Sequence, residues 1–336
     1  MTSLNPETVS PWATLPPFRI DPTFVARVWG LHDLRPLYDY VSEKEAIGEV
    51  WLTADDSRVA TGPAAGQTLS SLFEADPEAL LGADAPGGGS PLLLKVIFVR
   101  DKLSVQVHPN DELAKKYGFP RGKTECWYAL SAEPGAEVAL GLKPGVTLDQ
   151  VRAAVHDETL EQCLTAIPVA TGDLIMVDAG AVHAIWPGSI LLETQQYSDL
   201  TYRLYDYGRP RPLHVDKALE AIRLENRGGK VAPRILADRT ILVEDQYFCV
   251  EKIPVNGQRA SGTLSVRNKP ELAYLFAAAG EARIQPVPAA AQFEPIELPA
   301  RGIVAVPASA PPFVIENLGG LDLIRISPRW PQTLDK

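Results

Sequence analysis

The sequence predicts a mainly β protein, built as two barrel-like domains with a small helical region. Prolines and glycines, 30 and 25 in 336 residues, are scattered between short β-branched runs instead of gathering in one block. Many short strands separated by turn residues make sandwiches or barrels. Helical spacing of apolar residues is clear only over Thr147 to Pro168. The chain is also long for a single hydrophobic core, and its length suggests about two domains.

Residues 1–15 are rich in Pro and Thr and read as an arm. Residues 16–230 read as the first domain, and PPFRIDPTFVARVWG enters its first strand. GEVWLTADD (Gly48 to Asp56) is a short strand closing on a turn, SSLFEADPEALLG is weakly helical, and APGGGSP (Ala85 to Pro91) is a loop. LLLKVIFVRD (Leu92 to Asp101) is a continuous apolar strand with Lys95 as its anomaly. LSVQVHPND alternates, with Gln106 and His108 on one face, and a helical turn follows before KTECWY sets Lys123, Glu125 and Trp127 on one face. Two strands broken by Pro134-Gly135 and Lys143-Pro144-Gly145 lead to Thr147, a helix N-cap with Gln150 at capping-box spacing. Two short helices are expected there, with a break near His156-Asp157. Strands resume through ATGDLIMVDAGAVHAI and SILLETQQYSDLTYRLYDY, and a helix is expected over VDKALEAIRLE, about 215–225. ENRGGKVAP reads as the linker to a second all-β domain over residues 231–336.

A net charge of −10 argues against nucleic-acid binding. It leaves room for a small anion, because a few placed Lys and Arg can bind one phosphate inside an acidic protein. The three cysteines have no CxxC spacing, which fits a reducing compartment. No stretch approaches ~20 continuous apolar residues. The first residues lack a basic segment followed by an apolar run, so the expectation is a cytoplasmic protein off the membrane.

All five histidines precede residue 215, so a His-ligated metal must sit in the first domain. Gln106, His108 and Glu125 suit a divalent metal, and His183 closes GDLIMVDAGAVH with Gly172 and Gly180 at telling spacings. That run resembles the second cupin motif, with Asp178 in place of the usual proline. The Gln106-x-His108 pair followed by Glu125 resembles the first motif, expanded by an insertion. QVHPND, GKTECWY, GAVHAI and ETQQYSDLTYRLYDYGR, in this order, resemble type I mannose-6-phosphate isomerases of the short bacterial form, over roughly residues 16 to 215. The resemblance implies two cupin-like jelly-roll domains, the second degenerate and without metal ligands. It implies one zinc per chain, held by Gln106, His108, Glu125 and His183, and a catalytic arginine at Arg203.

Zinc takes imidazole nitrogen and carboxylate oxygen. A metal and a guanidinium suit the enediolate charge of an aldose–ketose isomerisation. The proton-transfer base stays open between Lys123, Glu193 and metal-bound water. Phosphate contacts stay open among Ser104, Lys95, Lys123 and Arg203. Trp127, Tyr128 and Cys126 read as core, GRPRP as a solvated turn and His214 as surface. Two alternatives are an iron(II) cupin oxygenase and a non-catalytic sugar-phosphate-binding cupin. The partner expected is a sugar phosphate, with a monomer or weak homodimer as the assembly.

Overall fold

Three antiparallel sheets carry the chain in the computed structural model, which describes residues 14–83, 85–86, 88–254, 259–261, 271–287 and 293–330. The first is five-stranded, in the order Tyr202–Tyr205, Val105–Val107, His183–Ile185, Glu137–Leu142 and Leu164–Pro168. The second is seven-stranded, in the order Gly229–Lys230, Leu174–Val177, Glu125–Ala132, Ser189–Gln196, Leu92–Phe98, Ile47–Trp51 and Thr23–Leu31. These two face each other. Trp127, Ala129, Ile175 and Leu191 of the seven-stranded sheet pack on Val138, Leu140 and Ile185 of the five-stranded one. Period-two alternation explains why one strand serves two cores: Trp127 points inward while its neighbours Cys126 and Tyr128 point out.

That outward face, with Leu94, Val96, Cys126 and Leu192, packs on Phe248, Tyr274, Phe276 and Ile324 of the C-terminal sheet. Each such side chain contributes roughly 1.5–3 kcal/mol on burial, so the two halves share a core as substantial as either half's own. The third sheet has nine strands, dominated by the long pair Ala273–Pro286 and Phe313–Pro328. It curls around Leu275, Ile284, Leu298, Val304 and Phe313. Phe18–Ile20, counted with the first domain on sequence, is hydrogen-bonded in this sheet against Ile303–Ala305. Of the expected N-terminal arm, residues 1–13 lie outside the described residues, and Leu15 is buried against the C-terminal half, its N–H donating to Ser309 Oγ.

Helix formation follows the local signals. Thr147 caps Leu148–His156, and its capping box with Gln150 closes in both directions. Val151 and Ala154 bury its inner side with Val215–Ala221 over the back of the five-stranded sheet. The second expected helix is only a 3-10 turn, Leu160–Cys163, because the next residues leave helical geometry to pair with Glu137–Leu142. The expected linker is also not free chain. Gly229–Lys230 extends the seven-stranded sheet and Arg234–Ile235 the C-terminal one. Among the described residues, no helix is long and apolar enough to cross a membrane.

Candidate metal centre

Register explains how distant residues converge. Gln106 pairs with both His183 and Arg203 across the five-stranded sheet. On the opposite sheet Glu125 stands beside Gln195, and Lys95 beside Glu193. His108 and His183, from one sheet, therefore meet Glu125 from the other. One donor atom of each lies within 4.8 Å of the others, and all three residues are buried. His108 Nε2 is 3.6 Å from Glu125 Oε2, and His183 Nε2 is 3.7 Å from Glu125 Oε1. The turn before His183 depends on Gly180, at φ +92, whose N–H donates to His108 O at 2.8 Å. A Cβ there would meet Arg223 Cγ at 2.8 Å.

The donor chemistry fits a divalent metal. His108 Nδ1 donates to Leu200 O and His183 Nδ1 to Ala181 O, each at 2.9 Å, which turns both Nε2 atoms toward Glu125. Burial lowers the pKa of both imidazoles, that of His183 to about 4, so both are in the neutral form a metal needs. Glu125 is wholly buried, and its Oε1 accepts from Trp127 Nε1 at 3.1 Å. Its Oε2 faces the Lys123 ammonium at 2.6 Å. The Gln106 amide lies 3.3 Å from His183 Nε2, making it the adjacent fourth group, and Ser104 Oγ donates to its Oε1.

Charged side chains surround this floor. Lys123 Nζ also lies 3.1 Å from His108 Nε2 and 3.8 Å from Glu193 Oε1. Burial pulls the Lys123 pKa down, but Glu125 and Glu193 outweigh it and the group is held as an ammonium. Desolvation raises Glu193. Lys95 is spoken for, at 3.4 Å from Glu193 and 3.6 Å from Asp199, over the Trp51 ring. Above the floor opens a cavity of ≈ 660 Å³, lined by Lys123, Glu193, Gln106, Ser104, Arg203 and Arg211 among others.

Arg203 sits on this wall with its Nη1 donating to Pro212 O at 3.0 Å. Its side chain pairs with neither neighbouring acid: Lys95 takes Asp199, while Arg209 and Arg211 take the buried Asp206. Burial and then the nearby Arg211 lower its pKa, the mark of two guanidiniums on one wall. Several site features escaped the sequence. Arg211, in the turn read as solvated, lines the cavity over the Trp29 ring. The Arg27–Glu49 pair at 3.0 Å forms another wall. His214, read as surface, is half-buried, and its Nδ1 accepts from the Arg203 N–H. The available signal was parity: Arg27 with Trp29, and Glu49 with Trp51, each share a strand face.

Fold and site thus define a three-sheet β protein with a buried two-histidine, one-glutamate centre, set between two of the sheets under a cavity lined by both cations and carboxylates. Residues 18–152 match the family model for the phosphomannose isomerase type I catalytic domain. The mannose-6-phosphate isomerase of Streptococcus mutans is 34% identical over 77% of this chain and 83% of its own. Mannose-6-phosphate isomerase ManA of Bacillus subtilis is 34% identical, over 81% and 88%. The crystal structure of the Bacillus subtilis mannose 6-phosphate isomerase superposes with a TM-score of 0.81 at 30% identity, covering 93% of this chain and 99% of that one. The chain belongs to the type I mannose-6-phosphate isomerase family, and it is an isomerase.

Proposed function

We propose that the protein is a zinc-dependent isomerase interconverting mannose 6-phosphate and fructose 6-phosphate. The observation that carries this reading is the convergence of His108, Glu125 and His183 beneath a cavity lined by Lys123, Glu193 and Arg203. Gln106, His108, Glu125 and His183 would hold one zinc, which when bound supplies Lewis-acid polarisation of the substrate's carbonyl or hydroxyl oxygens. The reaction itself moves one proton between adjacent carbons and shifts the carbonyl, through an enediolate whose charge needs stabilising.

The chain's own groups divide that work. Glu193, on the cavity wall and unused as a donor, removes and returns the carbon-bound proton. Lys123, an ammonium 3.8 Å from Glu193, neutralises the charge that develops on the substrate oxygens. Arg203, with no carboxylate partner among the described residues, is the guanidinium free to meet an anion. Lys95 is engaged by Glu193 and Asp199, so its part is to orient Glu193, whereas Arg203 meets the negative charge that develops on the reacting oxygens and Arg211 with Ser104 forms the phosphate end. The chemistry falls in the 16–230 segment, and, among the described residues, 231–336 contribute no donor. A fourth protein group, Gln106, standing 3.3 Å from His183 beside the three donors, disfavours oxygen activation, which requires several open positions.

The test is a coupled assay of fructose 6-phosphate formation, run on protein stripped of metal and then reloaded with zinc. Activity lost on stripping and restored by zinc is the expected result. No turnover in the zinc-loaded protein, or oxygen uptake with the iron form, overturns the reading.

A further inference from the structure

The segment between His108 and Glu125 supplies two donors and Lys123, yet it is mostly irregular chain around one short helix, Asp111–Lys116. Irregular chain does not hold catalytic groups in place without supports. Its two ends are laced together at close range. Lys123 N–H donates to Pro109 O at 3.0 Å, and Gly122 N–H donates to Asp111 Oδ1 at 2.7 Å. The approach is so close that a Cβ on Gly122 would stand 2.4 Å from Asn110 C. Asp111 Oδ1 also accepts from Gln196 Nε2 at 2.9 Å, while Gln196 Oε1 accepts from the Thr124 N–H at 2.9 Å. Asp111 is thus the knot that fixes where Lys123, Thr124 and Glu125 emerge.

The remaining Asp111 oxygen points across the interface between the two halves of the chain. Tyr247 OH donates to Asp111 Oδ2 at 3.0 Å. Tyr247 stands on the turn between Thr240–Glu244 and Phe248–Ile253, in the C-terminal sheet. That turn is itself tied: Tyr247 N–H donates to Asp245 Oδ1, Asp245 N–H to Phe248 O, and Arg329 N–H to Tyr247 O. The phenol is therefore offered from a braced hairpin.

We propose that Tyr247 is a positioning residue for catalysis: through Asp111 it locks the 109–124 segment and with it the placement of Lys123 and Glu125. The C-terminal domain, which among the described residues contributes no donor to the centre, then acts in the reaction as the anchor of the catalytic loop. This inference rests on the isomerase reading above. Partners that orient the groups around a metal site are each worth about 10- to 100-fold in affinity or activity, and this one acts one residue further out, so the lower end applies.

The experiment compares Tyr247→Phe with Ile324→Val, a C-terminal core substitution that weakens the same half without touching Asp111. Both are prepared as full-length, metal-loaded protein. Two readouts are taken: isomerase kinetics, and amide hydrogen exchange over residues 109–124. Tyr247→Phe is expected to lower kcat about tenfold with KM nearly unchanged, and to speed exchange across 109–124. Ile324→Val is expected to lower Tm while leaving both readouts at wild-type level. Unchanged exchange in Tyr247→Phe, a kcat within twofold of wild type, a loss confined to KM, or the same loss in Ile324→Val each overturns the proposal. An inactive wild-type enzyme would instead refute the isomerase reading, and the exchange comparison would still judge the anchor.

Discussion

Replacing Arg203 by Ala separates the chemistry of the site from its assembly. In the fold, the side chain makes one described bond, from Nη1 to Pro212 O at 3.0 Å, and its Nε is buried without a partner. Losing that bond costs about 1–2 kcal/mol of stability. No buried acid is orphaned, because Asp199 and Asp206 are held by other cations. The strand survives too, since its pairing with Gln106 and the bond to His214 run through the Arg203 backbone. None of the four donors touches the guanidinium among the described residues, so metal content should stay at the wild-type level. Catalysis is another matter. Removing a preorganised donor from developing negative charge costs roughly 10²- to 10³-fold in kcat, about 3–4 kcal/mol. The loss in rate should therefore exceed the loss in stability about twofold in free energy. Coupled isomerase kinetics, elemental analysis and urea unfolding on the same preparation measure the three quantities. Lost metal, or a kcat reduced less than about tenfold against that expectation, would refute the role given to Arg203.

His183→Ala should abolish both activity and stoichiometric metal, as elemental analysis would show, because it removes one of three donors that lie within 4.8 Å. A metal that binds the folded chain and not the unfolded one stabilises it, so at a free zinc level about 1,000 times its Kd the loaded enzyme should gain about 4 kcal/mol. A calorimetric scan should show that gain as a higher Tm, and equal Tm values with and without chelator would contradict it. Far from the cavity, Arg325 and Glu251 form a buried ion pair at 2.9 Å, 2% and 1% exposed at the side chain. Arg239 still meets Glu251 at 2.8 Å, so Arg325→Met should destabilise by about 3 kcal/mol, the lower end for a broken buried pair, in urea titration while leaving kcat at the wild-type value.

The cluster of His108, Glu125 and His183 was legible because strand alternation is short-range information. Gln106 and His108 differ by two positions, as do Lys123 and Glu125, so each pair shares a face whatever the tertiary fold. His183 needed only its glycine turn. What stayed hidden is pairing over long separations. Nothing local says that Trp29 lies under Arg211, or that Tyr247 reaches Asp111. The same limit misplaced the C-terminal part of the helical region. The pattern after Leu160 is compatible with a helix, and only the free edge of Glu137–Leu142 draws Leu164–Pro168 into a strand. Trp127 shows a subtler miss. It is core, as its type suggests, but its indole N–H also serves Glu125, a partner that composition cannot name.

Lys95 was an anomaly in an apolar strand, and its environment turns that anomaly into an argument about purpose. Glu49, Lys95, Lys123, Glu125 and Glu193 are between 0% and 7% exposed, all on the inner face of one sheet. Desolvating each ion costs several kcal/mol, and mutual attraction repays this only with near-ideal geometry. Apolar residues of like volume would stabilise the sheet as well or better, as Ile97, Leu191 and Ile175 do on the same face. Stability therefore does not account for five buried charges in this place. A reaction that moves a proton and develops negative charge does, since it needs fixed charges in a site largely emptied of water. Their mutual pairing also explains why so many charges can stay buried: the Lys95 and Lys123 ammoniums stand beside the Glu193 and Glu125 carboxylates. Arg203 stands apart from the pairing, and an anionic substrate is the partner that would complete it.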